Sequence, residues 1–135
     1  MRFLVIGATG TVGRAAAAEL ARLCGRGDAI VLAARDRERA EALAAALAPG
    51  SPAELSATTV RLPAAPDEPA LGGTDAVLCC AGPAVRLAED LARGCIERGI
   101  AYADAGGSRR LLDALDGPAR TGAGPVLLGA GRGLL

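Results

Sequence analysis

The sequence predicts an α/β protein with a doubly wound, all-parallel sheet of about six strands in the order 3-2-1-4-5-6. Short apolar runs alternate with amphipathic helical patterns along the 135 residues, which requires a parallel sheet with right-handed crossovers. The first run, residues 3–6, is apolar throughout, as expected for a strand that is covered on both faces. Glycines at positions 7, 10 and 13 follow this run at once and open a helical pattern. A chain of this length makes one domain.

The turn after the first strand has the spacing Gly-x-x-Gly-x-x-Gly. Its first glycine can adopt backbone angles that a side chain forbids, its second lets a diphosphate approach the backbone, and its third lets the helix pack close to the strand. The first amides of a helix have no partner inside it, and the helix dipole favours an anion there. We therefore predict that this turn binds a nucleotide; a turn that binds nothing is the alternative. The predicted contacts are Gly7, Ala8, Thr9, Gly10, Thr11, Val12 and Gly13.

Within that turn, the hydroxyls of Thr9 and Thr11 are candidates to bond a phosphate oxygen, and Thr11 is also a candidate helix cap. Arg14 follows in the first helical turn, where it either meets a phosphate or stays in solvent. The helix is expected to continue to about residue 23. Its apolar positions are predicted to share one face: Val12, Ala16, Leu20 and Leu23.

The remaining elements continue the alternation, and proline and glycine separate them. Asp36 is expected to cap the second helix. In chain order we predict a strand at 29–34, a helix at 36–47, a strand at 57–62, a helical turn near 67–71, a strand at 76–80, a helix at 84–98, a strand at 100–103, a helix from Ser108 to 115 and a strand at 126–128. This is the Rossmann arrangement, in which ligands bind at the carboxyl ends of the strands, at the switch point between strands 1 and 4.

The residue after the second strand indicates which dinucleotide binds. NAD-binding domains usually place a carboxylate there, which accepts a hydrogen bond from the ribose 2′-hydroxyl. This sequence has Arg35, whose charged fork suits a 2′-phosphate, and Arg37 and Arg39 could assist it. Asp36 would be the ribose acid if the strand ended one residue later. The pattern favours NADP over NAD.

Small residues follow the fourth strand and would let the nicotinamide ribose pass close to the backbone. They complete the predicted cofactor site: Cys80, Ala81, Gly82 and Pro83. Cys80 as a nucleophile would need a basic partner to hold its thiolate, and the sequence has neither lysine nor histidine. Asp104, after the fifth strand, either orients a substrate or caps the following turn, and we favour the capping role.

Composition excludes several classes of function. Fifteen basic and 15 acidic residues balance, so nothing indicates a nucleic-acid partner. All the basic residues are arginine, so the commonest general bases are missing and no catalytic residue is predicted. No metal site is predicted, because there is no Cys-x-x-Cys pair and no histidine. No apolar run approaches the ~20 residues of a membrane span, so we expect a cytoplasmic protein without a membrane partner.

Together these segments resemble the N-terminal cofactor domain of the saccharopine dehydrogenase-like family. The resemblance rests on residues 5–13, 32–35, 77–83 and 95–99, the last leading into Tyr102-Ala103-Asp104. It implies an oxidoreductase that acts at a carbon bearing an amine or at an enoyl group. It also implies a second domain that supplies the substrate contacts and often the subunit interface.

Because the chain stops at Leu135, where that family crosses into its second domain, we expect residues 1–135 to form a single dinucleotide-binding domain that is inactive alone. Its small-molecule substrate would be met through the other domain, and a homo-oligomer is compatible with this reading. A dinucleotide-binding sensor without enzymatic activity is the alternative.

Overall fold

The computed structural model describes residues 1–82, 87–106, 109–122 and 124–129, and its strands form one sheet. In chain order they are β1 Arg2–Ile6, β2 Ala29–Ala34, β3 Glu54–Thr59, β4 Ala76–Cys79, β5 Ala101–Asp104 and β6 Val126–Leu128. All neighbouring strands are parallel and lie in the order β3-β2-β1-β4-β5-β6, which confirms the predicted fold class. The switch point lies between β1 and β4. We call β1–β3 the first arm of the sheet and β4–β6 the second arm.

Helices cover the two faces of the sheet. Those in the described residues are α1 Thr11–Leu23, α2 Arg37–Leu47, α3 Glu89–Glu97 and α4 Arg109–Thr121. On one face, which we call the α1 face, α1 and α2 bury residues of the first arm such as Val5 and Leu32. On the opposite face, the α3 face, a larger core joins both arms to α3, α4 and the segment that follows β3.

Burial differs between the two arms. In β2, every residue from Ile30 to Ala34 is buried. In β4 and β5 burial alternates, because the residues that point to the α3 face are buried while those that point to the α1 face are half-buried. On the edge strand β6, Leu127 is 60% exposed. The α1 face of the second arm is therefore apolar but uncovered by the described residues.

The predicted apolar stripe of α1 is wrong. Its buried positions are Gly13, Ala17 and Ala21, whereas Val12 and Leu23 are exposed. A Cβ atom on Gly13 would collide with the backbone carbonyl oxygen of Gly7. The helix thus lies so close to β1 that only small residues fit along the contact.

Strand β3 begins and ends three residues earlier than predicted. Its residues pair one for one with β2, from Ala29 opposite Glu54 to Ala34 opposite Thr59. The length of β2 therefore sets the end of β3. As a consequence Val60 and Leu62 fall after the strand, at the carboxyl edge of the sheet, where ligands bind in this fold.

Helix α4 continues to Thr121, although we predicted an end near residue 115. Pro118 lies inside the helix and has no N–H for the carbonyl of Ala114, four residues earlier. The Arg93 guanidinium on α3 donates to that carbonyl instead, at 3.0 Å. This bond satisfies the oxygen that proline leaves free. The predicted cap Ser108 lies outside the described residues.

The other element predictions hold to within a few residues. The first two strands, the cap and end of α2, the single turn at Pro69–Leu71 and β6 lie where we expected them. Strand β4 ends at Cys79, and β5 is shifted by one residue so that it includes Asp104. Among the described residues, no helix is both long and apolar enough to cross a membrane.

Candidate functional site

A groove of about 450 Å³ lies at the carboxyl edge of the sheet, across the switch point. Seven of the predicted site residues line it: Gly7, Thr9, Gly10, Arg35, Cys80, Ala81 and Gly82. Residues that were not predicted to belong to the site complete its walls: Ile6, Ala34, Val60, Leu62 and Leu87. Arg39, named only as an assistant to Arg35, lines it as well. The groove therefore joins the ends of both arms.

The start of the glycine turn contacts both arms of the sheet. The amides of Gly7 and Ala8 both donate to the Ala33 carbonyl, at 3.0 and 3.1 Å, which ties the turn to β2. Gly7 has φ +75°, in the left-handed region that favours glycine. A Cβ atom on Gly7 would lie 2.8 Å from the Ala81 amide nitrogen, so the turn also presses against the segment after β4. Only glycine fits between the two arms at this point.

The start of α1 offers free amides to the groove. Gly10 is the N-cap residue and provides no side chain to cap the helix, and no acidic side chain lies in the first turn. Thr11 is therefore the first helical residue, and its predicted role as the cap is wrong. Arg14 donates from Nε to the Thr9 carbonyl at 3.0 Å, which fixes the outside of the turn. Uncapped helix amides of this kind bind anions.

The remaining predicted residues of the turn do not line the groove. Ala8 is fully buried and packs in the core of the α1 face, so only its backbone is near the site. Gly13 serves the packing of α1 on β1. Val12 lines an adjacent apolar cavity of about 360 Å³, which it shares with Cys80 and Leu127. Pro83 lies outside the described residues.

Two arginines stand at the β2 end of the groove. Arg35 follows β2 directly and Arg39 lies in the first turn of α2, and both line the groove. In the described part of the chain no carboxylate pairs with either guanidinium. Arg37 differs, because it forms an ion pair with Glu41 at 2.7 Å. The groove thus carries two uncompensated positive charges at this end.

The carboxylate next to Arg35 is already engaged. Asp36 is the N-cap of α2, and its Oδ1 atom accepts a hydrogen bond from the Arg39 amide at 3.2 Å. Strand β2 ends at Ala34, as predicted, so Arg35 and not Asp36 occupies the position directly after the strand. The condition for Asp36 to be the ribose acid, a strand one residue longer, is therefore not met.

Cys80 is poorly suited to nucleophilic chemistry. Burial, with smaller contributions from Cys79 and Asp104, raises the pKa of its thiol to about 11. At pH 8 only about one thiol in a thousand would then be ionised. Cys79 points to the α3 face and packs in the core, so the two neighbouring thiols face opposite sides of the sheet. Among the described residues, no group of potential ligands could hold a metal ion.

Asp104 lies in the core at the end of β5. It is 1% exposed, and the Tyr102 hydroxyl donates to its Oδ2 atom at 3.2 Å. Burial raises the pKa of that tyrosine hydroxyl well above its usual range. Gly106 approaches the other carboxylate oxygen so closely that a Cβ there would lie 3.5 Å from it. These contacts fit a role in holding the turn after β5.

The chain has a clear family match. The family described as the saccharopine dehydrogenase NADP binding domain matches residues 3–120. No curated protein matches the sequence.

Solved structures share the fold. Apo saccharopine dehydrogenase (L-Glu forming) from Saccharomyces cerevisiae has a TM-score of 0.72 at 16% identity, over 96% of this chain and 27% of that one. A shikimate 5-dehydrogenase from Mycobacterium fortuitum has a TM-score of 0.64 at 28% identity, over 95% and 44%. L-sorbose reductase from Gluconobacter frateurii, solved with NADPH and L-sorbose, has a TM-score of 0.54 at 23% identity, over 76% and 51%. The chain thus spans about a quarter of the length of the yeast enzyme.

Proposed function

The chain belongs to the saccharopine dehydrogenase NADP binding domain family, and we propose that its groove holds the cofactor with the 2′-phosphate between Arg35 and Arg39. As a member of that family it is an NADP-binding domain. Bound NADP(H) supplies the hydride chemistry, and the domain positions it. The observation that carries the proposal is the pair of uncompensated arginines at the end of β2, beside an aspartate that is occupied as a helix cap.

The glycine turn fits the diphosphate. Gly10 lines the groove and has no side chain, so it can admit the phosphates close to the backbone. The first amides of α1, from Thr11 onward, point out of the helix and have no intrahelical partner. The Thr9 side chain also lines the groove and can donate its hydroxyl to a phosphate oxygen. We assign diphosphate binding to this turn.

The walls beside the arginines fit the adenine. Val60 is buried and Leu62 is half-buried, and both line the groove after β3. The two aromatic residues of the chain, Phe3 and Tyr102, do not line it. We propose that the base packs on these aliphatic side chains while its ribose phosphate meets the arginines.

The opposite end of the groove fits the nicotinamide ribose. Ala81 and Gly82 are small and let a ribose pass close to the backbone, and Pro83 continues this segment in the sequence. The adjacent apolar cavity, which includes Val12 and Leu127, would lie beside the nicotinamide ring. Among the described residues no cation lines that cavity, and Asp104 is the one carboxylate that does.

We propose that the substrate and the catalytic groups are supplied by another part of the enzyme, which covers the α1 face of the second arm. All-parallel sheets are normally covered on both faces. This face carries half-buried Leu78 and exposed Leu127 without a cover from the described residues. The match covers 27% of the yeast enzyme, so nearly three quarters of that chain lies outside it. The similarities give no support to a sensor without enzymatic activity.

Calorimetric titration of the chain with NADPH and then NADH at fixed salt tests the assignment. We expect preferential binding of NADPH. The Arg35→Ala variant should lose about 1–3 kcal/mol of NADPH affinity, the scale of a lost charge-assisted hydrogen bond, and little NADH affinity. Arg37→Ala is the matched control, because it removes an equal charge that is already paired with Glu41. Equal NADPH affinity in wild type and Arg35→Ala would refute the 2′-phosphate site.

The Asp36→Asn variant tests whether Asp36 contributes to the choice between NADPH and NADH. Asparagine caps helices as well as aspartate does, so the fold should persist. If Asp36 bound the ribose of NAD, this variant would lose NADH affinity selectively. We expect no change in the ratio of NADPH to NADH affinity.

A further inference from the structure

The wall of the groove behind Val60 and Leu62 has little regular structure of its own. The segment from β3 to β4, residues 60–75, contains a single helical turn at Pro69–Leu71. Three of its side chains are anchored in the core of the α3 face: Val60 is 3% exposed, Ala64 is 5% exposed and Leu71 is 2% exposed. Between Ala64 and Leu71, the segment is held in place by contacts with neighbouring elements.

One of those neighbours is the end of α3. The Arg98 guanidinium, just after that helix, donates from Nη1 to the Pro66 carbonyl at 2.6 Å. The same nitrogen donates to the Gly94 carbonyl of α3 at 3.1 Å. One side chain therefore joins the segment to the helix. A charged donor makes stronger hydrogen bonds than a neutral one.

Helix α3 has a glycine where the Pro66 carbonyl approaches it. Gly94 is buried in α3, and a Cβ atom there would collide with the carbonyl oxygen of Pro66. Glycine lowers the intrinsic stability of a helix, so its presence at this position fits a need for close approach. Pro66 thus sits against the backbone of α3 with Arg98 holding its oxygen.

We propose that Arg98 is a positioning residue for the adenine end of the cofactor groove, acting through Pro66. Arg98 does not itself line the groove. Its bond fixes the segment two residues beyond buried Ala64, and Leu62 lies two residues before that anchor. Movement of Pro66 away from α3 is transmitted to the wall on which the adenine packs. This inference rests on the proposed location of the adenine.

The test compares binding of 2′,5′-ADP, the adenosine half of NADP, to wild type and to Arg98→Ala. We expect about fivefold weaker binding by the variant, a coupling of ordinary size for a residue that acts at a distance. Arg98→Lys retains a charged donor and should recover most of the affinity. Arg93→Ala is the matched control, because it also loses a bond from α3 to a carbonyl, but that carbonyl lies on α4.

A spectroscopic readout separates positioning from general stability. Etheno-NADP carries a fluorescent adenine, and at saturation its anisotropy should fall in Arg98→Ala and stay at the wild-type value in Arg98→Lys and Arg93→Ala. Wild-type affinity and anisotropy in a folded Arg98→Ala would overturn the positioning role. Equal losses in Arg93→Ala would overturn it too, because they would show a general effect of destabilising α3. A folded wild-type chain that did not bind 2′,5′-ADP would instead overturn the proposed function, and this inference with it.

Discussion

The two arms of the sheet have similar strands and different surroundings. In the first arm both faces are buried at the centre of the sheet, where every residue of β2 from Ile30 to Ala34 and the last three residues of β1 are buried. In the second arm only the α3 face is buried. Yet the residues of the open face are as apolar as those of the covered one, with Leu78 on β4 and Leu127 on β6. The apolar residues of the second arm are thus typical of a sheet that is covered on both faces, but no described element covers its α1 face.

The cofactor groove lies on the boundary between these arms. Its phosphate-binding turn and its arginines belong to the first arm, and its small residues, Ala81 and Gly82, belong to the second. The part of the groove that we assign to recognition of NADP is therefore built on the arm whose central strands are covered on both faces. The part that we assign to the reactive end is beside the open face. This difference predicts that mutations in the two arms have different costs.

The largest difference in the free energy of unfolding is expected between two leucine-to-alanine variants on the α1 face, one in each arm. Leu32→Ala should lower the free energy of unfolding by about 3 kcal/mol, because Leu32 is fully buried beneath α1 and α2. Leu78→Ala should cost about 1 kcal/mol, because that side chain is only half-buried. Urea unfolding followed by circular dichroism measures both values. Equal losses would show that the second arm is covered in solution, for example by another copy of the chain.

A second pair of variants compares glycines on helices of the two arms. Gly13→Ala places a methyl group against the Gly7 backbone, and we expect a loss of about 2 kcal/mol together with loss of NADPH binding. Gly117→Ala on α4 meets no atom within 4 Å and should raise stability by about 0.5–1 kcal/mol. Thermal unfolding and a single NADPH titration distinguish the two. A stable Gly13→Ala that still binds NADPH would show that the close contact between α1 and β1 is dispensable.

The smallest effect concerns Cys80, where the groove meets the open face. Because its pKa is raised to about 11, its alkylation by iodoacetamide should be slow at pH 8 and increase with pH toward that value. Bound NADPH should slow the alkylation further by covering the groove. Cys95, fully buried on α3, has a pKa raised to about 12 and is the internal control. Rapid alkylation of Cys80 at pH 8 that NADPH did not affect would place the cofactor elsewhere.

The sequence predicted the sheet order and the residues directly after β1, β2 and β4, because strand ends and glycine spacing are local features. It misplaced β3, since Thr58, Thr59 and Val60 favour extended structure locally while the strand bounds follow the pairing with β2. The lining residues Val60 and Leu62 were missed for that reason. Val60 and Leu62 lie at the groove because the pairing with β2 ends β3 at Thr59. A local sequence pattern does not show where a neighbouring strand ends.

Two helix predictions failed for similar reasons. The stripe on α1 was predicted from the helical spacing of its apolar residues, but the close contact at Gly13 turns the small residues inward. The end of α4 was placed near Pro118, but Arg93 from another helix satisfies the carbonyl that the proline leaves free. In both cases a contact distant in sequence outweighed a local preference.

The pairing of β1 also sets an order of events during synthesis. Phe3 pairs with Ile30 on one side and with Ala76 on the other. Since the ribosome releases the chain from its N-terminus, the first arm can assemble while one edge of β1 still waits for β4. Until residues 76–79 have been synthesised, the unpaired edge of β1 can form incorrect hydrogen bonds with another strand. The cofactor groove has walls from both sides of this junction, so the ability to capture NADPH would arise only when the slow, long-range pairing is complete.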